Sequence, residues 1–128
     1  YTDPNDGHEM LVYYSLGNYV TGTRAARAGV YEQAVGGLAK VELTKNSEGK
    51  VVISRYGIEP LVANIGRGGY GSIYTCPLSE YTEEERKNTI LASNDPTFTI
   101  ENCEALCEKV WGDLYNAGEK ETWITKEY

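Results

Sequence analysis

Few side chains in this 128-residue chain have the type and spacing that catalysis or metal binding requires. His8 is the one histidine. Catalytic triads and most zinc sites need at least one histidine, so chemistry of that kind would rest on this residue. It stands in "NDGHEM", a turn ahead of an extended run, and reads as an exposed turn residue. Asp3, Asp6 and Glu9 gather carboxylates nearby but lack the full ligand order of a calcium loop. "GRGGYG", residues 66–71, matches G-x-G-x-x-G in its letters. Pyrophosphate binding needs such a run to open a helix, whose N-terminus holds the anion. Here "SIYTCPLSEY" follows, extended and interrupted by Pro77, so the stretch reads as a loop. Glu83, Glu84 and Glu85 read as the solvated start of a helix, and no pair of carboxylates is singled out for glycoside hydrolysis.

Two sets of residues hold more promise. Arg24 and Arg27 are local cations in an acidic chain, on a connection long enough to bring them to a ligand. They are candidate contacts for a carboxylate or phosphate through charge-assisted hydrogen bonds. Ser15, Leu16, Gly17 and Asn18 end the run "LVYYSLGN" with a hydroxyl, bare backbone and an amide. The next strand pattern starts only at Gly37, so these residues do not form a tight hairpin turn. Small hydrogen-bonding residues suit a strand end where backbone must approach a pocket closely.

The elements that would position these groups follow from periodicity. Residues 9–16 read as a first, largely buried strand. "GLAKVELT", residues 37–44, alternates, with Ala39, Val41 and Leu43 on one side and Lys40 and Glu42 on the other, as a half-buried strand requires. "KNSEGK" is the turn, and "VVISRYGIEPLV" is the returning strand, stopped or bent at Pro60 because proline cannot donate to a ladder. Thr82 and Glu85 predict a capping box for a helix running to about Ala92, with "SNDPT" ending it. A second helix is expected from near Asn102, its apolar stripe made by Leu106, Cys107, Val110, Trp111 and Leu114. The tail "KETWITKEY" reads as a short strand or an arm held through Trp123 and Ile124.

Composition bounds the rest. The chain is 41% hydrophobic and 24% charged, as in a globular domain rather than a disordered one. Its net charge of −7 argues against nucleic acid or an anionic membrane as the main partner. No apolar run is long enough to span a bilayer. Eleven tyrosines, against one phenylalanine, suit a sheet with one wet face. Cys76, Cys103 and Cys107 are odd in number, and read as small packing residues rather than a disulfide framework. Opening on Tyr1, the chain reads as an excised piece or a mature fragment.

The segments "MLVYYSLGNYV", "GGLAKVEL", "GKVVISRYGIEPLV" and "YTCPLSEYT", in that order, resemble the C-terminal part of the CapA-type capsule synthesis (poly-γ-glutamate synthesis) proteins of bacteria. In that family a strand ending in Ser-Leu-Gly-Asn-Phe is a signature; Tyr19 stands at the last position here, and Asn64 stands where many members carry histidine. The resemblance spans residues 9–82. It implies an α+β fold: a fragment of a β-sandwich from a four-layer, calcineurin-like metallophosphoesterase parent, with C-terminal helices. Residues 1–80 would supply the last strands and residues 81–128 a helical appendage. By similarity, Ser15, Gly17 and Asn18 would border the ligand pocket, giving hydrogen bonds rather than metal ligands. The resemblance also implies a cell-surface, membrane-anchored parent that handles an anionic polymer or phosphoester. A divalent metal would belong to the parent, with no cofactor in this fragment, which would be catalytically inert alone. A cut sandwich exposes strand edges, so the isolated chain is expected to dimerise or exchange strands. The other reading is a self-contained cell-surface binding module with no enzymatic parent.

Overall fold

A computed structural model describes residues 1–19, 29–68, 72–115 and 123–126. Its frame is the hairpin of β1 (Val35–Lys45) and β2 (Val51–Ile65), antiparallel from Val35 opposite Val62 to Lys45 opposite Val51. The turn forms where the sequence predicts it. The Asn46 side-chain oxygen accepts from the N–H groups of Glu48 and Lys50, each at 3.0 Å, and so replaces the missing ladder at the bend. β3 (Ile73–Pro77) pairs with the far end of β2, and β4 (Ile124–Thr125) pairs with Arg55 and Tyr56 on the same side. The result is one antiparallel sheet of four strands with β2 central, accompanied by short helices: an α+β domain.

Pro60 neither stops nor bends β2, contrary to expectation. The Ala63 N–H donates to the Ala34 carbonyl at 2.8 Å, so alternation turns position 60 away from β1. β3 ends at Pro77, opposite Leu61, and the proline therefore faces no ladder partner that needs its missing N–H.

Two further expectations are corrected. Residues 9–16 form no strand: Glu9 has an isolated bridge to Thr2, and the next isolated bridge is at Gly17, to Gly36. Leu11, Tyr13 and Leu16 are half-buried while Val12 and Tyr14 are exposed, so the segment lies on the sheet rather than within it. The alternation along β1 is present, but its burial is the reverse of the pattern's suggestion. Val41 and Leu43 are 50% and 58% exposed, whereas the Lys40 side chain keeps only 16% of its surface. Lys40 is held by Glu59 at 2.9 Å, and its ammonium lies 4.5 Å from the centre of the Trp123 ring, which the Arg55 guanidinium also approaches, at 4.4 Å. A cation over an aromatic ring and beside a carboxylate keeps its charge compensated where it is covered.

The predicted first helix is two: α1 (Glu83–Lys87) and α2 (Ile90–Asn94). The Thr82–Glu85 capping box forms as read. The break falls at Thr89, whose backbone bridges to Gly66 and whose buried hydroxyl caps α2 by accepting from the Ala92 N–H. A tertiary pairing has overridden helical continuity there. α3 (Ile100–Trp111) starts just ahead of the expected Asn102 because Thr99 caps it. Cys103 and Cys107 are its buried positions, and they pack with Val62, Leu78, Leu91 and Phe98 in the core. Val110, expected in the apolar stripe, is 59% exposed. Trp123 and Ile124 anchor the tail as a short strand.

Candidate functional site

Residues 15–18 form a corner that passes over the edge of β1 where β1 has no side chains. The Leu16 carbonyl accepts from the Gly37 N–H at 2.7 Å, and Gly17 bridges to Gly36. The approach is backbone against backbone. A β-carbon on Gly36 would sit 2.3 Å from the Asn18 carbonyl oxygen, and one on Gly17 would sit 3.1 Å from the Val35 carbonyl oxygen. Gly17 has φ 75°, and Ser15 has φ 49°, the one described non-glycine residue in the left-handed region. That conformation costs a serine about 1–2 kcal/mol, which the surrounding contacts must offset. The segment is further pinned by Tyr13, whose hydroxyl lies 2.9 Å from the Lys40 carbonyl and 2.7 Å from the Gly57 carbonyl and accepts from the Gly57 N–H.

Beside the corner is an apolar groove of about 190 Å³. Ser15, Leu16 and Gly17 form one wall, Leu106, Cys107, Val110 and Trp111 of α3 another, with Val35 and Glu32 completing it. Leu16, Val110 and Trp111 also line a second hollow of about 250 Å³, with Tyr14, Ile58 and Leu114 among its walls. Small-molecule sites run from about 300 Å³ upward, so either space alone takes only a small group. The walls can bury an apolar group, with the Ser15 hydroxyl and the Glu32 carboxylate as the polar features.

Ser15 and Gly17 thus stand at a groove, while Asn18 is turned to scaffolding: its amide donates to the Gln33 carbonyl at 3.0 Å. Arg24 and Arg27 lie outside the described residues. Glu32 and Trp111 are groove residues that sequence reading did not assign to a site. Glu32 belongs to a 3₁₀ turn, Val30–Gln33, and carries no periodic signal. Trp111 reads as core packing and reaches the groove because Gly37 leaves room for its ring.

The other candidates are not drawn together. His8 is exposed in a turn made by residues 1–10, where the Asp3 N–H donates to its carbonyl at 2.8 Å. Among the described residues no three His, Cys, Asp or Glu side chains come together as a metal site requires, and no helix is long and apolar enough to cross a membrane. Of "GRGGYG", residues 69–71 lie outside the described residues; Gly66 bridges to Thr89, and the next described strand, β3, begins at Ile73. The cysteines are free, and burial pushes the thiols up, Cys76 to about 11 and Cys103 and Cys107 to about 12. Thiols held that high are poor nucleophiles at neutral pH. Asn64 is buried between two tyrosines, donating to Tyr74 Oη at 2.6 Å and accepting from Tyr81 Oη at 3.3 Å. Burial raises the pKa of both hydroxyls, so they remain protonated partners for the amide.

No protein-family model, curated protein or solved structure matches this chain.

Proposed function

We propose that the chain is the C-terminal portion of a CapA-type protein of bacterial capsule or poly-γ-glutamate synthesis. In this reading it supplies a shaped border to a pocket whose chemistry lies in the rest of the parent. The carrying observation is the Ser15–Asn18 corner: a left-handed serine and a glycine, locked backbone to backbone on β1, at the mouth of a groove. Strain of this kind is kept where geometry matters more than stability. The ordered set of segments shared with that family gives the corner its context. The parent is a surface-anchored, metallophosphoesterase-like protein whose sandwich this sheet would complete, and the divalent metal is held by residues outside this chain. Contact with an anionic polymer or phosphoester rests on Arg24 and Arg27, cations in an acidic chain. As an isolated fragment the chain is inert, and it self-associates through strand edges that the parent would cover. Incubating the purified chain with a chromogenic phosphodiester and Mn²⁺, Mg²⁺ or Zn²⁺ should release no product above buffer; metal-dependent turnover would overturn the inert reading.

One observation favours the alternative of a self-contained binding module at the cell surface. Residues 1–10 fold back on themselves, with the Met10 N–H donating to the Tyr1 carbonyl at 2.8 Å, and Glu9 forms an ion pair with Lys126 beside β4. The opening segment is thus tied to the last described strand.

A further inference from the structure

We propose that the outer edge of β1 pairs with the same edge of a second copy, antiparallel about a two-fold axis through Val41. This deepens the self-association part of the reading above and rests on nothing about capsule chemistry. Ala34 accepts from Ala63, and Glu42 accepts from the Ser54 hydroxyl, so even-numbered residues of β1 turn their backbone groups towards β2. The odd-numbered ones face outward, as the Gly37 N–H donating to Leu16 confirms. Beyond Gly37 no described segment pairs with that edge, which leaves Ala39, Val41 and Leu43 presenting their N–H and C=O groups. The same three residues carry exposed apolar side chains.

Edges of this length are normally blunted by a proline, a bulge or an inward charge. β1 contains no proline, and the register slip opposite Glu42 and Leu43 places its extra residue, Ser54, on β2, so the charges of Lys40 and Glu42 are the one such device that β1 carries. Charge then selects the register. With the axis at Val41, Lys40 lies opposite Glu42 of the second copy, twice by symmetry, and Ala39 opposite Leu43, with Val41 opposite itself. Moving the axis to position 40 sets lysine against lysine; moving it to 42 sets glutamate against glutamate. Opposite charges facing across strands stabilise and like charges destabilise, so among neighbouring registers the one through Val41 is self-complementary. Lys40 and Glu42 already engage Glu59 and Arg55, and the second copy extends that network across the axis.

Sedimentation of the whole chain, alongside Val41→Pro and Val41→Lys, tests this. The Val41 N–H faces away from β2, so both changes leave the β1–β2 ladder intact, which circular dichroism checks. The unaltered chain should sediment at twice 14.2 kDa and both variants at the single mass. Oxidation of Val41→Cys should link two copies across the axis, giving a doubled band on a denaturing gel. An unaltered chain of single mass at high concentration would overturn the proposal together with the self-association reading. A dimer that survives both substitutions would overturn the β1 edge alone.

Discussion

At the scale of single residues, the corner depends on what glycine lacks. The Gly36 backbone lies so close to Asn18 that a methyl group has no free space, and the obstructing atom is backbone rather than a side chain that could turn aside. Gly36→Ala should therefore destabilise the fold by about 1–3 kcal/mol, the usual cost of forcing atoms into a filled space, visible as a lowered urea midpoint. Asp95 acts in the opposite sense, by supplying acceptors. It is fully buried, and its carboxylate takes the Tyr31 N–H at 3.0 Å, the Thr97 N–H at 2.9 Å and the Thr97 hydroxyl at 2.5 Å. Burial alone would raise its pKa, but these donors outweigh it and hold the carboxyl below its ordinary value. A lowered folded-state pKa gives stability that is full above the unfolded value, near 4, and is lost as the pH falls through the folded value. Asp95→Asn should flatten the acid limb of the stability curve while lowering stability at pH 7, measurable by denaturation at stepped pH.

At the scale of elements, the sequence is most legible where local chemistry decides. The turn at residues 46–50, the Thr82–Glu85 capping box and the Cys103/Cys107 face of α3 all follow from spacing, because each is set by neighbours a few residues away. Thr99 belongs to the same class. Its side chain accepts from the Asn102 N–H at 3.1 Å, so Thr99→Ala should cost about 1 kcal/mol, read as a fall in thermal midpoint. Legibility ends where distant contacts decide. The break at Thr89 comes from a bridge to Gly66, and the passage of Pro60 through β2 comes from where β3 stops. Lys40 lies inside because Trp123, far along the chain, arrives to cover it. The "SLGN" run suggested backbone brought close to a pocket; the structure sets that backbone against β1, beside a groove. Its partner, the glycine pair of β1, became visible only once the chain was folded.

At the scale of the whole molecule, the four-stranded sheet brings together segments distant in sequence. The 1–19 segment crosses its surface, α3 closes the core, and β4 returns to the middle of β2. The groove beside Ser15 exists only because the corner, the 3₁₀ turn and α3 converge, which is why Glu32 gave no signal in the sequence. Whether this assembly is the end of a larger protein or a module in its own right is the central question. Sequencing the gene immediately upstream of the Tyr1 codon tests it most directly. The CapA-type reading predicts an in-frame stretch carrying Asn-His-Glu/Asp and His-x-His motifs, the ligands of the parent's metal site. A signal peptide ending directly before Tyr1 would contradict that reading and leave the self-contained module in its place.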